Sequence, residues 1–274
     1  MTSRHYIPQP PLSDFIEILW YHEAPAQPHA RERLLPMGQM ELVIDLLEDR
    51  SETYDRQDRP QTYRGGLLIG AHSEYFSIDT AQAAKVIGAH FKPGGMAPFL
   101  GLPAGELHNM NLSLDDLWGA MAGELRNRLL EAGTLDAQFR ALEQALLARA
   151  RRSMQYHPAV AFALRHFQRV PHISTIADVS GQIGLSQRRF IEVFRDQVGL
   201  TPKLFCRVRR FQEVLRMIHD GSYDRRSDWT QIALACGYYD QAHFIHDFRA
   251  FSGLNPSAFL ARGGGRMNHV PISE

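Results

Sequence analysis

The sequence predicts an α+β protein: an N-terminal antiparallel β-barrel or sandwich with two helices behind it, then an all-α domain with two helix-turn-helix units. Three observations predict it. Short segments rich in β-branched and aromatic residues fill the first hundred positions, and helical spacing of apolar residues takes over from Leu112. Farther on, Phe190/Phe244, Phe194/Phe248, Arg195/Arg249, Gly199/Gly253, Leu200/Leu254 and Pro202/Pro256 repeat at a constant offset of 54. A chain of 274 residues that is 44% hydrophobic can bury a good core, and its length suits two domains better than one.

Taken in order, the strands are expected at 15–21 (FIEILWY), 40–47 (MELVIDLL), 62–72 (TYRGGLLIGAH), 74–78 (EYFSI) and 84–91 (AKVIGAHF). Between them run Pro-rich or charged connectors, EAPAQPHARER and EDRSETYDRQDRP. Strands in succession without helices between them favour antiparallel pairing. The first helix starts after Ser113, placed to cap it, with Asp115 and Asp116 in its first turn. Its apolar face is Leu114, Leu117, Trp118, Met121, Leu125 and Leu129. A second helix follows Gly133. The pair serves either as a dimer surface or as a cover for the β domain. A basic, proline-terminated stretch at 150–157 marks the boundary, giving a β-rich first domain of 1–152, a second of 156–262, and a flexible tail of 263–274.

The net charge of zero hides a split. Residues 156–262 carry 14 Lys and Arg against 9 Asp and Glu, whereas 1–155 carry 15 against 20. A basic half containing a helical duplication points to a polyanion. The residues 159–170 form one helix and 172–184 contain another, with Ile176, Val179 and Ile183 on one face. Ser186 caps the helix QRRFIEVFRDQV and Gly199 stops it; Thr201 caps the next helix, with Pro202 in its first turn. The second unit repeats the grammar with WTQIALACG, the cap Asp240, QAHFIHDFRAF, the stop Gly253 and the cap Asn255 before Pro256. A short helix, a turn with Gly184 or Gly237, and a second helix with two inward Phe residues describe a helix-turn-helix whose second helix enters a major groove. The candidate base-reading residues on the outward faces are Gln187, Arg188, Glu192, Gln241, Ala242 and His246. Ser186, Arg189, Arg195, Lys203 and Arg249 are the candidates for phosphate.

Several other features lead elsewhere or nowhere. IGAH occurs at 69–72 and 87–90, but His72 and His90 lack the close His-x-His and carboxylate that a metal site of this kind needs, so they read as strand histidines. Gly94-Gly95 reads as a turn. Cys236, His243 and His246 read as core and helix residues, without zinc. No metal or cofactor is expected. The start of the chain has no apolar leader region and no long apolar run occurs, so the reading is of a soluble, cytoplasmic protein with no membrane partner. The alternative from a different class is an enzyme tethered to a DNA-binding module, such as a cysteine alkyl transferase. Cys206 and Cys236 argue against it, since both lie in helices that need their apolar faces.

Residues 156–262 resemble the DNA-binding domain of AraC/XylS-type transcription regulators. The resemblance rests on Gly184-Leu185-Ser186, Phe190 to Arg195, Gly199 to Pro202 and Cys236-Gly237-Tyr238, and covers about two-fifths of the chain. Ser180 departs from the Ala usual there, while the second copy keeps Ala233. The resemblance implies a sequence-specific regulator that is not an enzyme. Its partner would be double-stranded DNA, with RNA polymerase and a second copy of the chain as further partners. It also implies that Arg210 ties the two motifs together. The segments RERLLPMGQMELVI and HFKPGGMAPFLGLPAGEL look like the β-rich domain found ahead of this module in some members, where a small-molecule effector is sensed.

Overall fold

The fold is seen in a computed structural model that describes residues 2–25, 31–80, 84–150, 153–169, 176–221, 229–262 and 267–272. Two antiparallel sheets form the N-terminal half. The six-stranded sheet has the order β1 (Thr2–Tyr6), β2 (Ile16–Glu23), β9 (Lys85–Phe91), β4 (Glu41–Asp45), β7 (Leu67–Ile69) and β10 (Asn111–Ser113). The five-stranded sheet has the order β11 (His269–Ile272), β3 (Arg31–Leu34), β8 (Phe76–Asp79), β5 (Arg50–Tyr54) and β6 (Pro60–Arg64). Of the two architectures the sequence allowed, the sandwich is the one adopted.

Alternation along the strands divides the six-stranded sheet into two working faces. Leu19, Leu42, Leu68, Ile87, Ala89 and Phe91 are fully buried and join one continuous core with Leu125, Leu129, Phe139 and Leu142 of the following helices. The opposite face carries Ile18, Trp20, Glu41, Val43, Ile69 and His90, and encloses a cavity of about 550 Å³ against the five-stranded sheet.

Three expectations need correcting here. The single strand expected over 62–72 is two, β6 and β7, in different sheets. Gly65 and Gly66 between them sit at φ of 70° and 127°, conformations that let the chain cross from one layer to the other. The single helix after Ser113 is also two, α1 (Leu114–Trp118) and α2 (Ala120–Glu131), broken at Gly119 with φ 60°. Ser113 makes no capping bond, because its hydroxyl accepts the Arg64 N–H at 3.1 Å instead. Helix α3 (Leu135–Arg149) follows and packs on α2.

The third correction concerns the tail. Residues 269–272 are not a flexible end but strand β11, paired antiparallel to β3 from His269↔Leu34 to Ile272↔Arg31. Val270 is 2% exposed and His269 Nδ1 lies 2.7 Å from Glu32 Oε2. An apolar residue between polar ones suffices for an edge strand when a partner edge is offered.

The helical half comprises α4 (Pro158–Arg169), α5 (Ile176–Ile183), α6 (Gln187–Val198), α7 (Pro202–His219), α8 (Trp229–Ala235), α9 (Gln241–Ser252) and α10 (Pro256–Arg262). Packing against the β half is close. At Gly199, φ is 91°, and an added Cβ would stand 2.6 Å from the Ala71 Cβ. Its glycine thus both stops α6 and lets the two halves touch.

Candidate nucleic-acid interface

The two helical units are built alike from the backbone outward. Gly184 and Gly237 turn the chain at φ 73° and 74°. The Ser186 side chain accepts the Arg189 N–H at 3.3 Å, and Asp240 accepts the His243 N–H at 2.7 Å. Gly199 and Gly253 then close α6 and α9 in the left-handed region. Inside, Phe190 and Phe194 meet edge to face at 5.8 Å, and Phe244 and Phe248 do the same at 5.6 Å. The sequence repeat is therefore a repeat of one packing motif.

Helix α7 is the spine between them. Phe205 packs on Phe194 at 5.7 Å and Phe211 on Phe248 at 5.3 Å, so one helix enters both cores. Its 18 residues span about 27 Å at the helical rise. Arg210 donates to Gly237 O at 3.0 Å and lies over the Tyr238 ring, which is the tie that the resemblance implied. A second tie was not expected from the sequence: Arg207 grips Asp247 of α9 through two hydrogen bonds, 2.6 and 3.2 Å, and Asp247 is 1% exposed.

The expected DNA-facing residues fall into three groups. On α6, Gln187, Arg188, Arg189 and Glu192 are exposed, as is the cap Ser186. Arg188 and Arg189 both reach Glu192, at 3.4 and 3.3 Å, so this face neutralises part of its own charge. On α9, Ala242, His246 and Arg249 are exposed, whereas Gln241 is half-buried and accepts from the Thr230 hydroxyl at 3.1 Å. Lys203 is exposed in the first turn of α7. Arg195 stands apart from the others: it donates to Gly105 O at 3.4 Å, and an added Cβ on Gly105 would lie 2.8 Å from its Cγ. It thus borders the β half.

One exposed residue escaped the sequence reading. The second turn is one residue longer than the first, running Gly237 to Asp240 where the first runs Gly184 to Ser186. Tyr238 takes the buried place, and Tyr239, the extra residue, is 87% exposed. Aligning the turns by their caps and glycines would have revealed it.

Burial accounts for the other tempting groups. It pushes the Cys206 thiol up to about 11 and Cys236 up to about 12, so neither is a thiolate at neutral pH. His72 bonds to Asn111 at 2.9 Å and His90 to Glu41 at 3.3 Å, in different surroundings. Among the described residues, no cluster of three or more His, Cys, Asp or Glu is arranged to hold a metal, and no helix is long and apolar enough to cross a membrane.

Comparison with known proteins agrees with this geometry. A family model described as a helix-turn-helix domain matches residues 179–262. Residues 179–262 form an AraC-type helix-turn-helix domain. A second model, described as a domain of unknown function (DUF6597), matches residues 4–113. The probable transcriptional regulator LumQ of Photobacterium leiognathi is 27% identical to this chain over 85 residues, 31% of this chain and 33% of LumQ. An uncharacterized HTH-type transcriptional regulator of Haemophilus influenzae is 26% identical over 118 residues, 43% of this chain and 37% of that protein. The chain thus spans about a third of the length of these curated relatives. Among solved structures, ToxT from Vibrio cholerae O395 aligns with a TM-score of 0.47 and 12% identity over 90% of this chain and 97% of that one. A DNA-binding transcriptional dual regulator from Escherichia coli K-12 aligns with a TM-score of 0.32 and 19% identity, over 38% of this chain and 97% of that one.

Proposed function

We propose that this chain is a sequence-specific, DNA-binding transcription regulator whose two helix-turn-helix units read successive major-groove segments. The observation that carries the reading is the pair of equivalent helices, α6 and α9, held on one spine with Gln187, Arg188, Ala242 and His246 exposed. On this reading Gln187, Arg188, Glu192, Gln241, Ala242 and His246 meet base edges, and Ser186, Arg189, Lys203 and Arg249 meet phosphate. Arg195 reaches phosphate only by leaving Gly105.

The β half is the modulating half on this reading. It touches the far ends of both recognition helices, through Gly105 to Arg195 of α6 and through Arg33, which donates to Ser252 O of α9 at 3.2 Å. Gln212 of the spine donates to Pro36 O at 2.7 Å and to Asn268 Oδ1 at 2.9 Å. A small molecule that preferred one arrangement of the sheets would bias how both helices are presented, with a coupling equal to its difference in affinity for the two states.

The test is a gel-shift series with the full chain on duplexes selected from a random library. Arg188→Ala costs about 1–3 kcal/mol at one base position, whereas Lys203→Ala weakens all sequences alike and lowers the salt slope by about one. Equal losses for both on scrambled duplexes, or no retarded duplex at all, would overturn the reading.

A further inference from the structure

The cavity between the sheets has a chemistry of its own. Its volume of about 550 Å³ suits a small organic ligand, and Ile18, Val43, Ile69 and Ile78 give it apolar walls. What sets it apart is charge. The chain has 30 Lys and Arg, yet among the described residues none lines the cavity. The ionisable groups that do are the carboxylates Glu41, Glu52 and Asp79 and four histidines. The nearest arginines on β3, Arg31 and Arg33, are spent elsewhere: Arg31 pairs with Asp58 and lies over the Tyr54 ring, while Arg33 lies over Tyr75. An anionic ligand here would lose its water without gaining a fixed positive charge.

Glu41 occupies the middle of the floor, on the row Ile18, His90, Glu41 and Ile69 that crosses four strands. It is 6% exposed, and burial raises its carboxyl above the usual range, against the opposing influence of His90 and His269. The imidazole Nδ1 of His90 stands 3.3 Å from it, and a carboxylate has room for further donors. Beside it stands Trp20. The indole lies on Gly88, where an added Cβ would be 2.6 Å from its Cζ2, and stacks on His90 at 5.6 Å. Its N–H leans toward Glu41 without completing a hydrogen bond. Tryptophan is also the side chain that attracts cations best through its ring.

We propose that this cavity binds an apolar organic cation, an amine carried on an aromatic or aliphatic body, with Glu41 as counter-ion and Trp20 as wall. The absence of a clustered donor set distinguishes this from a metal site among the described residues. The proposal rests on the reading of the β half as the sensing half, and it adds a route. Met267, Asn268 and His269 line the cavity and lead into β11, so a bound ligand touches a segment that follows the DNA-binding helices in the chain.

The test uses the full chain and three probes of one shape, 2-naphthylmethylamine, 2-naphthylmethanol and 2-naphthoic acid, titrated by calorimetry. The amine is expected to bind at least about tenfold more tightly than the alcohol, and the acid more weakly than both, the scale of a charge-assisted hydrogen bond. Glu41→Gln abolishes the amine's advantage and leaves the alcohol unchanged. An acid that binds as well as the amine, a Glu41→Gln variant that keeps the preference, or no binding by any probe overturns the proposal; the wild-type series decides alone should the variant not fold. A gel shift on a mixed-sequence duplex, with and without the amine, separates this from the sensing role. Amine binding that leaves DNA affinity untouched sinks the role and upholds the site, whereas an acid that binds and alters DNA affinity does the reverse.

Discussion

The grip of Arg207 on Asp247 makes an asymmetric prediction. Asp247 is 1% exposed, and among the described residues it meets Arg207 and, at 3.7 Å, the His243 ring. Arg207 is 29% exposed and lies 5.4 Å from the Phe251 ring. Replacing Arg207 with Met therefore strands a dry carboxylate, at a cost of about 3–5 kcal/mol. Replacing Asp247 with Asn leaves a guanidinium that can rehydrate and still donate to the neutral side-chain oxygen, at about 1–2 kcal/mol. The double variant removes the stranded charge and is expected to resemble Asp247→Asn, giving a coupling as large as the Arg207→Met cost, about 3–5 kcal/mol. Urea unfolding followed by circular dichroism, with slopes compared across the four proteins, measures this. An Arg207→Met variant no less stable than Asp247→Asn, or strictly additive costs, would refute the assignment of the pair as a buried clamp.

Three further outcomes can be checked on the same full-length protein. Gly199→Ala and Gly184→Ala both force a left-handed alanine, costing about 1–2 kcal/mol, but only Gly199 also meets Ala71 and Met40, so it should cost at least about 1 kcal/mol more; equal losses would remove the close approach from the account. Burial holds the His72 imidazole down to about 4, so the unfolded chain takes up a proton first as pH falls. Stability is then fully present above about 6.5 and falls by about 3 kcal/mol between there and about 4, a loss that His72→Gln should abolish; an equally acid-labile variant would contradict this. Deleting 267–274 removes β11 and the burial of Val270, and should lower stability by at least about 2 kcal/mol while quickening protease cleavage near β3; an unchanged melting temperature would show that the strand contributes nothing.

What could be read from the sequence was local. The caps Ser186, Thr201 and Asp240, the stops Gly199 and Gly253 and the Phe pairs each act within a few residues, and every one of them appears where the spacing placed it. The five-stranded sheet was harder. RERL and RSETY are polar enough to pass for connectors, and they become β3 and β5 only because distant edges pair with them. Arg195 and Arg207 show the same limit at the candidate interface. Arg195 looked like an available cation on its own helix and is engaged by a group 90 residues away, while Arg207, which the sequence did not single out, is engaged by one 40 residues away. The cavity left no local trace at all, since its lining is gathered from both sheets and the segment after α10.

The strand that closes the five-stranded sheet bears on how the protein is made and dissected. During synthesis the ribosome finishes both helix-turn-helix units before it releases His269–Ile272, so the β half waits with the β3 edge uncovered until the helices behind it have emerged. A fragment cut at residue 152 would keep that edge bare for good, lacking one rim of its own cavity, and would invite self-association.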